Sequence, residues 1–126
     1  MTQETQQQNV VILGASHNPE RYSNKAIKLL LEKGYTVIPV HPKKKVIEGI
    51  PVVNALKDIS EPVDTLTMYV GAARSHQMLD ELAALNLKRI IFNPGSESDE
   101  VEALMQQKGV EVVHGCTLVM LKTDVF

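Results

Sequence analysis

Three consecutive lysines, Lys43, Lys44 and Lys45, stand directly behind His41-Pro42. Such a row of ammonium groups attracts phosphate, whereas a carboxylate at the same place would attract a free ribose hydroxyl and repel phosphate. A second group of candidates lies upstream, in Gly14-Ala15-Ser16-His17-Asn18-Pro19-Glu20-Arg21-Tyr22-Ser23. Gly14 suits a sharp turn, Ser16 and Ser23 offer hydroxyl donors, and Arg21 and Lys25 add positive charge. Backbone N–H groups where such a stretch opens a helix bind anions. The Gly-x-Gly-x-x-Gly fingerprint is absent, with only Gly14 in its place. Two further stretches can approach a ligand closely. Val70-Gly71-Ala72-Ala73-Arg74 is small and apolar and then basic, and Asn93-Pro94-Gly95-Ser96 makes a tight turn with free N–H groups.

Periodicity supplies the elements that must hold these stretches. Val10-Val11-Ile12-Leu13 is a continuous apolar run ending at Gly14, which predicts a strand buried on both faces. Ser23 or Asn24 caps a helix with Ala26, Ile27, Leu30 and Leu31 as its stripe, and Gly34 stops it. Tyr35–Val40 is a second strand, and Asn54–Ile59 a short helix. Val63–Val70 is a third strand whose apolar residues alternate with Thr65, Thr67 and Tyr69, which predicts an edge position. A helix capped by Ser75 carries Met78, Leu79, Leu82 and Leu85 and closes at Asn86. Arg89–Phe92 is a fourth strand. Ser96 or Ser98 opens an acidic helix start that suits the helix dipole, with Val101, Leu104 and Met105 facing inward and Gly109 at its end. Val110–Val113 is a short fifth strand, and the tail from Leu118 is ambiguous. Strands alternating with helices predict an α/β, doubly wound, parallel five-stranded sheet of order 3-2-1-4-5 with helices on both faces. Ligands of such sheets bind outside the carboxyl ends of the strands, where all four candidate stretches fall.

Composition narrows the function classes. The 126 residues predict a single domain over residues 9–126, behind a Gln-rich tail over residues 1–8 that frays. The net charge of −2 gives no bulk attraction for nucleic acid, and 4% aromatics without tryptophan make a base-stacking surface unexpected. One cysteine, Cys116, excludes an intramolecular disulfide framework. No apolar run reaches the roughly 20 residues of a membrane span, and no signal-peptide pattern is present, so a cytoplasmic protein is expected. His17, His41, His76 and His114 lack metal-ligand spacing, so no metal is expected. Cys116 reads as a small buried side chain, with a nucleophile or a partner for a ligand thiol as the sharper alternatives. Ser16 with His17 has no orienting carboxylate, and nothing places a substrate between Glu111 and His114. No motif commits the chain to a reaction. The lysine run instead points to a nucleotide with an extra ribose phosphate, which means NADP or coenzyme A.

The order Gly-Ala-Ser-x-Asn-Pro-x-Arg-Tyr-Ser, then Val-x-Pro-Val-x-Pro-Lys, then Asn-x-Gly, then a Cys near a C-terminal Leu-Val, resembles the small CoA-binding domain proteins. These are similar to the N-terminal domain of the succinyl-CoA synthetase alpha subunit. The resemblance covers roughly residues 9–122. It implies a Rossmann-like fold and binding of coenzyme A or an acyl-CoA through its 3′-phospho-ADP moiety. By position it puts a phosphate loop on Ser16, His17, Asn18 and Pro19, and the phosphate-binding lysine on Lys44 with Lys43 beside it. It puts further contacts on Tyr69 to Ala72 and on Phe92, Asn93 and Pro94. With the residues read directly, the candidate ligand set is Gly14, Ser16, His17, Asn18, Pro19, Arg21, Pro42, Lys43, Lys44, Val70, Gly71, Asn93, Pro94 and Gly95. The synthetase loop is richer in glycine, and its phosphorylated histidine lies in a second domain, so the resemblance implies no ligase activity. An NADP-binding, oxidoreductase-like protein is the alternative, disfavoured by the missing glycine fingerprint. A protein-interaction module derived from a ligase subunit is another, working as a homodimer or with a partner ligase chain.

Overall fold

The computed structural model describes residues 8–126. The tail predicted to fray lies outside them except for Gln8, whose carbonyl accepts the Thr36 N–H at 3.1 Å. The chain runs β1 (Asn9–Leu13), α1 (Tyr22–Glu32) and β2 (Thr36–Val40), then a hairpin of β3 (Val46–Ile47) and β4 (Ile50–Pro51). A 3-10 turn (Leu56–Asp58) leads into β5 (Val63–Met68), α2 (Ala72–His76), α3 (Leu79–Ala84) and β6 (Leu87–Phe92). The chain ends with α4 (Asp99–Gln107), β7 (Glu111–His114) and α5 (Thr117–Lys122).

The five main strands are parallel and lie side by side as β2-β1-β5-β6-β7. Outside β2, Val53 makes one parallel bridge to Val40. On the β2 side the 3-2-1-4-5 winding is present, with its third place reduced to that bridge, and β5, β6 and β7 follow β1 on the other side. Val63–Val70 is not the edge strand its alternation predicts. As β5 it sits between β1 and β6, where Thr65 and Thr67 are 1% and 0% exposed. Their hydroxyls are engaged: Thr65 accepts from Arg89 Nε at 3.0 Å, and Thr67 accepts from Asn93 Nδ2 at 3.0 Å. Alternation here marks a buried polar network, not solvent.

The sheet carries a core on each face, as a doubly wound fold requires. Val10 and Ile12 pack with Ile27, Leu30, Ile47 and Leu121 under α1 and α5. Val11 and Leu13 pack with Leu66, Met68, Leu82, Ile90, Phe92, Val101 and Met105 under α3 and α4. This is why β1 has no polar side. The ambiguous tail forms α5 and lies against α1. The expected single helix from Ser75 to Leu85 is two, broken around Gln77 and Met78. The β3–β4 hairpin has strands too short to show a period, and it turns on Glu48 and Gly49 at φ 51° and 77°. Ser98 caps α4 by accepting the Val101 N–H at 3.2 Å. Ser23 and Asn24 lie inside the first turn of α1 instead of capping it, because the cap position falls on Arg21.

Candidate functional site

At the carboxyl ends of β1, β2 and β5 a cleft of about 880 Å³ opens between three loops. Its floor depends on Gly14, at φ 93°. A Cβ there would lie 2.9 Å from Val70 Cγ1 and 3.1 Å from the Tyr69 carbonyl carbon. Only glycine lets the end of β1 pass so close to the end of β5. The crossing is pinned by Tyr69 N–H donating to the Leu13 carbonyl at 2.9 Å and Ala15 N–H to the Val40 carbonyl at 3.1 Å.

Beyond Gly14 the chain builds two small side-chain turns. Ser16 Oγ accepts the Asn18 N–H at 3.1 Å, and Asn18 Oδ1 accepts the Glu20 N–H at 2.9 Å. Underneath, fully buried Asn24 donates to the Ser16 carbonyl at 2.9 Å and to Glu48 of the hairpin at 3.0 Å. The hairpin thus braces the loop from below. α1 then starts with no side-chain cap and no acidic residue in its first turn, which leaves its positive end open to an anion.

The lysine turn is held more tightly. Asn54 Nδ2 bridges the His41 and Lys44 carbonyls at 2.8 and 2.9 Å. The N–H groups of Lys43 and Lys44 both donate to His41 Nδ1, each at 3.0 Å. Burial holds the His41 imidazole below its ordinary pKa, and the positive charges of Lys44, His17, Arg74 and Lys43 lower it further. Besides the two lysines of its own turn, His17 of the β1–α1 loop and Arg74 of α2 act on this imidazole, with no carboxylate among the groups that shift it.

Gly14, Ser16 and Arg21 line the cleft from the first loop, and His17, Asn18 and Pro19 stand exposed outside that lining. Pro42 and Lys43 line it from the second loop, while Lys44 lies half-buried beside His41. Val70 and Pro94 also line it, and Gly71 and Gly95 lie beyond. Asn93 does not offer its amide to a ligand: it is 3% exposed and fully engaged. Its Nδ2 donates to Thr67 Oγ1 at 3.0 Å and the Met68 carbonyl at 2.9 Å, and its Oδ1 accepts the Thr117 N–H at 2.8 Å. Gly95 N–H is likewise taken, by Glu97 at 3.0 Å.

Residues 8–122 match the model of the CoA binding domain. The chain belongs to that family. Over 104 residues it is 24% identical to the uncharacterized protein YneT of Bacillus subtilis (strain 168), covering 82% of this chain and 77% of that protein. A crystal structure of an uncharacterized protein superposes with a TM-score of 0.89 at 37% identity, covering 95% of this chain and 98% of the other. The fold also recurs, at TM-score 0.71 and 18% identity, in the dinucleotide forming acetyl-coenzyme A synthetase 1 of Ca. Korarchaeum cryptofilum, solved with phosphate and ADP. That match covers 89% of this chain and 26% of the synthetase.

In this CoA binding domain several cleft residues fall outside the candidate ligand set read from the sequence. Arg74, in α2, lines the same cleft as His41 and Lys43. Its signal was a basic residue directly after a small, apolar switch-edge loop. Tyr22 lines the mouth and is 67% exposed, and Leu56, Met78 and Glu81 line the other side. Tyr69 also lines the cleft, and burial pushes its phenol up to about 12 despite the nearby Thr67 and Thr117 hydroxyls. The remaining histidines pair with acids on α4, His76 with Glu100 and His114 with Glu102. Cys116, expected to be buried, is half-buried at the start of α5. Among the described residues no group of three or more His, Cys, Asp or Glu could hold a metal ion, and no helix is long and apolar enough to cross a membrane.

Proposed function

We propose that the cleft binds coenzyme A, free or acylated, by its 3′-phospho-ADP moiety. The observation that carries this reading is that Arg21, His41, Lys43 and Arg74 line one cleft, beside the uncapped start of α1. Family membership supports CoA binding in general; the cationic cluster supports this particular end of the molecule. Lys43, Lys44 and Arg74 take the ribose phosphate as point charges and a guanidinium fork. The α1 N–H groups and Ser16 take the pyrophosphate. Tyr22 offers an exposed ring face for the adenine, and Val70, Leu56 and Met78 form an apolar wall for the pantetheine arm. Binding, not turnover, is what these residues support. Localisation in the cytoplasm accords with a soluble cofactor ligand.

Titration calorimetry at one salt concentration with CoA, 3′-dephospho-CoA and NADP tests this. CoA is expected to bind, and dephospho-CoA to bind at least about tenfold more weakly, the value of one charge-assisted hydrogen bond. Lys44→Ala is expected to weaken CoA by a similar factor and dephospho-CoA far less. Equal affinity for CoA and dephospho-CoA, tighter binding of NADP, or no heat with CoA would overturn the reading.

A further inference from the structure

The turn that presents the lysines is closed from inside by an imidazole. Two backbone donors, Lys43 N–H and Lys44 N–H, point at His41 Nδ1 from 3.0 Å each. Nδ1 accepts only when it carries no proton, so the ring must hold its proton on Nε2. An imidazolium has N–H groups on both nitrogens and would face two donors with a third. The turn as built therefore exists only with neutral His41. We infer that His41 is a positioning residue whose unprotonated Nδ1 sets the lysine turn, so that acidification loosens the grip of Lys43 and Lys44 on the ligand's phosphate. The inference rests on the cleft reading above and names a pH dependence of that same site.

The groups facing His41 agree with this. Lys43 and Lys44 belong to its own turn, His17 comes from the β1–α1 loop, and Arg74 comes from α2. All are basic. Together with burial they favour the neutral ring and hold its titration below the ordinary range. Asn54, the other closure of the turn, is an amide and does not titrate. Acid then removes both inner hydrogen bonds while the outer Asn54 bridge remains. The result is a loosened turn, not an unfolded protein. Protonation of the ligand's own phosphate acts equally on every variant. The comparison of variants isolates His41.

The first measurement is on the free protein. Nitrogen-detected NMR is expected to show the Nε2–H tautomer of His41. The Lys43 and Lys44 amide resonances are expected to move with the ring's own titration, below about pH 6.5. A proton on Nδ1, or amides indifferent to that titration, would overturn the inference. The second measurement is CoA affinity from about pH 7.5 to about pH 5 in the wild type, His41→Asn and His41→Ala. An asparagine oxygen can accept the N–H two residues on without titrating, so His41→Asn is expected to rescue neutral-pH affinity. The wild type is expected to lose about threefold more affinity than His41→Asn over this range, the worth of one net hydrogen bond, and His41→Ala to be weak throughout. Parallel profiles for wild type and His41→Asn would overturn the inference. If the wild type binds no CoA at about pH 7.5, the cleft reading and this use of the turn fall together. The tautomer and amide data then show which part of the reasoning failed.

Discussion

Two loops at the same edge of the sheet share a vocabulary and use it in opposite ways. The loop after β1 runs Gly14-Ala15-Ser16-His17-Asn18-Pro19, and the loop after β6 runs Asn93-Pro94-Gly95-Ser96. Both offer serine, asparagine, proline and glycine. In the second, Asn93 is 3% exposed and joins β5, β6 and the start of α5 through Thr67, Met68 and Thr117, while Ser96 Oγ donates to its carbonyl at 2.7 Å. In the first, the buried bracing is delegated to Asn24 below, while Ser16 lines the cleft and His17 and Asn18 stand exposed. One loop is sealed and structural; the other is braced but left free to meet a ligand. A residue type at a functional edge is therefore no guide to function until its hydrogen-bond partners are known.

This contrast can be broken most forcefully at Asn93. Asn93→Ala leaves the Thr117 N–H and the Met68 carbonyl buried without partners. At about 1–3 kcal/mol for each such group, an unfolding free energy lower by about 3 kcal/mol is expected. Denaturant unfolding with an unchanged slope measures it. CoA affinity of the folded fraction should hardly move. A loss below about 1 kcal/mol would mean the loop is not sealed as described.

Gly14→Ala comes next and should injure both properties. The residue would adopt φ 93° with its Cβ 2.9 Å from Val70. Backbone strain of about 1–2 kcal/mol plus the contact is expected to lower stability by about 2 kcal/mol. Because the shift falls on the cleft floor, CoA affinity should fall as well. Stability lost with affinity intact would detach Gly14 from the site. The smallest effect, and the sharpest, belongs to Ser16→Ala. Its hydroxyl makes one exposed hydrogen bond, to the Asn18 N–H, so unfolding should change by less than about 0.5 kcal/mol. Calorimetry should nevertheless show CoA about fivefold weaker, the worth of one hydrogen bond to the pyrophosphate. Unchanged affinity would place the pyrophosphate elsewhere.

The pH behaviour of His41 has a stability counterpart with a definite sign. Its pKa is lowered in the folded protein, so the unfolded chain takes up a proton first as pH falls. Folding stability is expected to decline from about pH 6.5 down to the folded-state value and then level off, with His41→Asn flattening that decline.

Much of the fold was legible because its signals are local. The two-sided apolar run of β1, the stripe of α1 and the acidic, serine-capped start of α4 each announce themselves within one element. The site's edge followed from the winding. β5 was misplaced because alternation reports which side chains are polar, not what satisfies them, and Thr65 and Thr67 are satisfied inside. The β3–β4 hairpin was missed because two-residue strands carry no period, although its turn residues stood in plain view.

By itself the sequence determined the class of sheet, the edge where the cleft opens and the basic character of the second loop. Each follows from periodicity, turn chemistry or charge within a few neighbouring residues. Only the tertiary structure decided that Asn93 is closed to ligands, that Arg74 shares the cleft with His41 and Lys43, and that Asn24 braces the first loop through Glu48. The reason is physical. A donor's availability depends on partners brought to it by folding, and those of Asn93 lie 24 to 26 residues away along the chain.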